Sequence, residues 1–286
     1  MQAMETSHAD GALLNAGLFA AAICTFLILL VVEKRKPYIR FAEDVIKQSY
    51  VTNTTAFMVN NLILTVLRAS SLFLVAQQFA GYGLLASWPA GIGKWLAAFA
   101  LFDLAIYVWH VMSHHYEFLW RFHKVHHCDK TFNVSTGIRF HVFDLLLEIG
   151  YKCLFVVLIG VDAYTVLSIE IVELFFIFFH HANIRLAREE SLSQWIITPS
   201  LHRVHHSTLR SEHDSNYGIV LAVWDRIFGT RLELQPVSIG LDLIEAENFV
   251  QLFSLAFITE RKLHRLLRWI PKGRKSVPAA PRRTPE

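Results

Sequence analysis

Charge is scarce in this chain. Only 18% of its 286 residues are Asp, Glu, Lys or Arg, while 53% are hydrophobic and 13% aromatic, and the mean hydropathy is +0.37. An ordinary soluble surface carries more charge than that, so a membrane protein is the first expectation. Cysteine is scarcer still. Cys24, Cys128 and Cys153 are odd in number and lack metal-type spacing, which argues against a disulfide framework and against a thiolate metal site. Neither HExxH nor HxxEH occurs, which disfavours zinc-dependent hydrolysis. A Gly-rich phosphate loop is missing too, and nothing repeats except a short histidine motif.

What is present, first, is a set of long apolar runs. The stretch "NAGLFAAAICTFLILLVV" (15–32) has no charge in eighteen residues, enough to cross a hydrocarbon core of roughly 30 Å. A second run covers 56–80, interrupted by Arg68, and a third 95–109, interrupted by Asp103. Two shorter ones fit between Leu145 and Phe179, turning near Gly160 to Tyr164, either as spans or as a shallow hairpin. The first run is read as a retained anchor, because no Lys or Arg precedes it. Lys and Arg are dense in "EKRKPYIRFAEDVIK" (33–47), 114–140 and 182–286, so these segments are expected inside and the N-terminal tail outside. Residues 259–275, "TERKLHRLLRWIPKGRK", alternate basic and apolar side chains, as a surface helix on anionic headgroups would. They lack a recognition fold for nucleic acid. The expected organisation is a tail and two-helix membrane hairpin (1–90), a catalytic segment (91–235) and a basic C-terminal segment (236–286).

Second, there is histidine. Thirteen of the fifteen lie between residues 110 and 213. His123, His126 and His127 in "WRFHKVHHCDK" share their spacing with His202, His205 and His206 in "SLHRVHHS", and "WHVMSHH" adds His110 and His114. On a helix, positions i, i+3 and i+4 share one face, so each motif forms a trident. Eight imidazoles exceed the four to six ligands of one ion, which makes two ions the simplest reading. His181 is the favoured ninth ligand, and His141 and His180 are further candidates. Asp103, seven residues before His110, Glu173, seven before His180, and Asp144, three after His141, are candidates to orient the rings. Imidazole suits iron, zinc, copper and nickel alike. Haem gives no reason for tridents, so a redox-active pair open to O2 is the chemistry that remains, with the apolar spans delivering the substrate. A membrane metal transporter is the alternative from another class, and it would string its ligands through the bilayer depth.

The segments "DLAIYVWHVMSHH", "LWRFHKVHH", "TGIRFH", "HHANIRL", "TPSLHRVHHS", "NYG" and "WDRIFGT" together resemble the fatty acid hydroxylase superfamily, also called the sterol desaturase family, from about Asp103 to Thr230. The resemblance implies an all-α integral membrane bundle of four or five transmembrane helices under a cytoplasmic histidine-rich cap. It implies two iron ions, O2 as co-substrate, a lipid substrate and an external electron donor such as cytochrome b5, ferredoxin or a reductase. Hydroxylation of a lipid C–H bond is the expected reaction, with desaturation at the same site as its near neighbour. His110, His114, His123, His126, His127, His202, His205 and His206 match the three family motifs, and His181 matches the ligand between the second and third. "RFHVFD" departs from the expected "RFHPxE" form around His141. The compact length favours a bacterial inner membrane over the endoplasmic reticulum.

Overall fold

Two apolar helices, Ile92–His115 and Ala163–His181, organise the molecule in the computed structural model. The structure describes residues 2–67, 72–242, 244, 246–258 and 282–283, with the side chains of 2–16, 18, 19, 282 and 283 outside that description. In chain order the helices are α1 (Gln2–Arg35), α2 (Glu43–Val66), α3 (Leu72–Phe79), α4 (Ile92–His115), α5 (Glu117–His127), α6 (Val142–Ile159), α7 (Ala163–His181), α8 (Glu189–Leu192), α9 (Pro199–His205), α10 (Arg210–His213), α11 (Val223–Ile227) and α12 (Phe249–Leu255). A 3-10 turn covers Val134–Ile138, and β1 (Ile39–Arg40) pairs with β2 (Arg282–Arg283). The expectation of a helical protein holds for the described residues.

Local chemistry sets the breaks. Tyr116, at φ −93° and ψ 118°, both ends α4 and starts α5, so a single extended residue swings α5 across the end of α4. Asp162 caps α7 by accepting from the backbone N–H groups of Tyr164 and Thr165. Gly160 ends α6 in the left-handed region at φ 73°, and a Cβ there would lie 1.9 Å from the Tyr82 carbonyl oxygen. That approach lets Leu84 and Leu85 donate to the carbonyls of Leu158 and Ile159. The far end of the α6–α7 hairpin is thereby tied to the segment after α3.

One apolar core joins α3, α4, α6 and α7 around Phe102, Val156, Val166 and Ile169. A second lies beneath α5 and α12 around Trp120, Val125, Leu252 and Leu255. Among the described residues, α4 and α7 are the two helices long and apolar enough to cross a membrane. The 56–80 run is not a single helix: α2 stops at Val66, and the eight residues of α3, about 12 Å long, pack on α6 and α7 instead. α6 carries Asp144, Glu148 and Lys152, and Lys152 Nζ lies 3.3, 2.7 and 2.8 Å from Glu148, Glu170 and Glu173. The basic segment 259–275 lies outside the described residues.

Candidate metal centre

Four chain segments meet at the end of α4 and α7. α4 delivers His110 and His114 from its last two turns, α5 delivers His123, His126 and His127, α7 ends in His180 and His181, and α9 with its C-cap delivers His202, His205 and His206. All ten rings are buried. Burial first, then neighbouring imidazoles, hold His126, His127, His202, His205 and His206 well below the ordinary imidazole range, so these rings are neutral. Neutral imidazole is the form that binds metal.

The nitrogens sort into two groups. His110, His114, His123, His127 and His205 bring one ring nitrogen each to within 4.8 Å of one another, and His126, His181, His202 and His206 do the same. The tridents are therefore divided. His123 and His127 face the first group while His126 faces the second, and His205 faces the first while His202 and His206 face the second. The groups adjoin, with the rings of His127 and His206 stacked at 4.4 Å between centroids.

Proton positions test whether a metal fits. His126 Nδ1 lies 3.3 Å from the Arg139 carbonyl oxygen and His181 Nδ1 2.6 Å from that of Ile177. A carbonyl only accepts, so each Nδ1 carries the single proton of a neutral ring and each Nε2 is a lone pair. Those two lone pairs face each other at 3.1 Å. They repel unless a cation lies between them. In addition, His123 Nε2, His205 Nε2 and both nitrogens of His206 are buried without a hydrogen-bond partner. Orphaned buried nitrogens are costly, and a pair of divalent ions would satisfy them.

Backbone carbonyls orient much of the set. His205, His110 and His180 direct Nδ1 at the carbonyl oxygens of Ser215 (2.7 Å), Tyr217 (2.8 Å) and Ile219 (3.2 Å), alternate residues of one irregular stretch. Two buried carboxylates clamp that stretch. Asp103 accepts from the N–H groups of Val220 and Leu221 and from Trp224 Nε1, and Asp225 accepts from the N–H groups of Tyr217 and Gly218. Asn216 sits at φ 51° and bonds Leu201 and Leu232, while a Cβ at Gly218 would meet the Leu221 carbonyl oxygen at 2.7 Å. These contacts explain "NYG" and the Asp of "WDRIFGT", which residue type alone left without a chemical role.

Several expectations need correction. Asp103 orients no ring directly and acts on the carbonyl stretch instead. Glu173 pairs with Lys152. His141 caps α6, accepting from Phe143 N–H, and its ring lies among Phe122, Phe143, Phe253 and Phe257 rather than with either group. His180 lies beside the second group, 4.0 Å from His202 between centroids, without joining its four nitrogens. The carboxylates that do touch rings are Asp144, 3.1 Å from His123 Nδ1, and Asp214, 3.2 Å from His114 Nδ1. Asp144 was visible in sequence only as a neighbour of His141, and Asp214 gave no signal beyond standing beside His213.

Two adjoining groups of buried histidines thus lie at the end of two apolar helices. The fatty acid hydroxylase family model matches residues 95–230, and this segment of the chain belongs to that family. The chain is 33% identical to ornithine lipid hydroxylase OlsE of Rhizobium tropici over 150 residues, covering 50% of this chain and 44% of that protein. It is 34% identical to human alkylglycerol monooxygenase over 51% of this chain and 33% of that protein, and 30% identical to human cholesterol 25-hydroxylase over 46% and 48%. The chain thus spans less than half the length of these curated relatives. No solved structure matches it at a comparable level of significance.

Proposed function

We propose that the chain is an integral membrane di-iron oxygenase that hydroxylates a C–H bond of an amphipathic lipid, using O2 and electrons from an external donor such as cytochrome b5, ferredoxin or a reductase. The nine histidines of the two groups are its metal ligands. The observation that carries this reading is the pair of facing Nε2 lone pairs on His126 and His181, which a shared cation relieves. Ligand chemistry alone admits zinc or copper. The family match favours iron, and the relatives' names carry an ornithine lipid, an alkylglycerol and cholesterol, all lipids.

When bound, the iron pair supplies the reduction of O2 and an oxidant able to attack an unactivated C–H bond. The chain supplies everything around it. His110, His180 and His205 are held by the carbonyls of residues 215–219, and buried neutral rings exclude water from the metals. α4 and α7 bring the apolar part of the lipid to the ends where the histidines sit. The ligands gather in two adjoining groups and are not strung along the helices, which favours an enzyme over a transporter. The proposed topology has four or five spans, drawn from α1, α2, α4, α6 and α7, with the N-terminus outside and the histidines cytoplasmic. A bacterial inner membrane is the proposed location.

The test is lipidomic. Cells with and without the gene, grown under air, should differ by a lipid carrying one added oxygen atom, and purified protein should hold two iron ions per chain. Loss of two hydrogens without added oxygen would identify a desaturase. Metal flux in proteoliposomes without O2 consumption would overturn the oxygenase.

A further inference from the structure

We propose that Asp144 and Asp214 are positioning residues that make the two metal sites unequal, so that the five-histidine group binds its ion more tightly and fills first. The inference rests on the metal reading above and deepens it. His123 Nδ1 donates to Asp144 Oδ2 at 3.1 Å, with both side chains buried, and His114 Nδ1 donates to Asp214 Oδ1 at 3.2 Å. A carboxylate accepts the Nδ1 proton, fixes the tautomer and raises the basicity of the opposite nitrogen. The opposite nitrogens are those that point into the five-histidine group: His123 Nε2 is buried without a hydrogen-bond partner, and His114 Nε2 lies 3.1 Å from His127 Nε2. Two further members, His110 and His205, are held by carbonyl oxygens.

The four-histidine group is built differently. His126 and His181 are backed by neutral carbonyls, and Nδ1 of His202 and of His206 has no hydrogen-bond partner. The nearby buried carboxylate, Asp129, is engaged by Ser49, Asn53, Thr131 and Thr136 and faces the charge of Arg139. Two anions thus lie one hydrogen bond behind the first ion, and none lies so placed behind the second. Two of these four positions, His202 and His206, leave Nδ1 undirected, against one of five, His127, in the first group. Loss of a single such partner lowers metal affinity by about 10–100-fold, so a two-partner difference separates the sites in a titration.

The experiment uses the full chain in lipid nanodiscs, stripped of metal and titrated anaerobically with Fe(II) and, for its visible absorption, Co(II). Wild-type protein should take up two equivalents in two distinguishable steps. D144N and D214N, which keep side-chain shape and remove charge, should each weaken the first step by about 10–100-fold and leave the second within roughly threefold. Mössbauer spectra of the iron-loaded variants should shift one of two iron signals. H202A should abolish the second step and retain the first. Two equal wild-type steps, or aspartate variants that weaken both steps alike, overturn the proposal while leaving the metal reading intact. Absence of any uptake by wild-type protein overturns the metal reading itself. Because the second step is an internal control for folding, a misfolded variant is recognised by losing both.

Discussion

The apolar half and the histidine end of this molecule bury polar groups by opposite means. Between α6 and α7, Lys152 is ringed by Glu148, Glu170 and Glu173, so there side chain meets side chain. At the histidine end, side chains hold backbone and backbone holds side chains. Asp103 and Asp225 grip N–H groups of residues 217–221, whose neighbouring carbonyls grip the rings of His110, His180 and His205. The lesson is physical. A side-chain knot needs only two helices in register, whereas a metal site needs ring directions fixed to a few tenths of an ångström, and a clamped backbone supplies that rigidity.

That contrast can be broken, and the largest effect belongs to the ligands. His205→Ala should abolish turnover and remove metal, read together by product formation and metal content; retained activity in a metal-depleted variant would defeat the ligand assignment. Next is Lys152→Met, which strands three carboxylates and should destabilise the protein by roughly 3–5 kcal/mol without changing metal stoichiometry. Metal loss in that variant would erase the distinction between the halves. Asp103→Ala leaves two backbone N–H groups and one indole N–H without their acceptor, for a loss of about 3 kcal/mol, and here metal should be lost as well. An intact metal content would show that the carbonyl stretch does not need its clamp.

Acidity acts on the whole set of rings at once. Burial and neighbouring rings keep His126, His127, His202, His205 and His206 neutral in the folded chain. The unfolded chain takes up protons below about pH 6.5, the ordinary imidazole value. Stability of the metal-free protein is therefore full above that pH and declines as pH falls below it. Unfolding midpoints that stay flat between pH 7 and pH 5 would show that the rings are not buried together.

The histidine set was legible because spacing is a linear property. The recurrence of H-x-x-H-H, with His110, His114 and His181 near helix ends, implied more ligands than one ion accepts, and the structure sorts nine rings into five and four. The spans were less legible. The apolar run at 56–80 contains two helices because hydropathy measures solvent preference and not helix continuity, and packing on the α6–α7 hairpin accounts for α3. Asp103 and Glu173 were singled out correctly as costly buried charges, yet their partners are a backbone stretch and a lysine. Sequence offset along a helix does not say which neighbouring element a side chain meets.

From the chain alone came the residues able to bind metal and the number of ions they imply, because ligand type and helical spacing are written in the order of side chains. Tertiary structure alone decided which ring joins which group, and which carbonyl or carboxylate aims it. A carbonyl oxygen has no residue identity to read, and Asp144 and Asp214 became partners of His123 and His114 only when distant helices brought them within 3.2 Å.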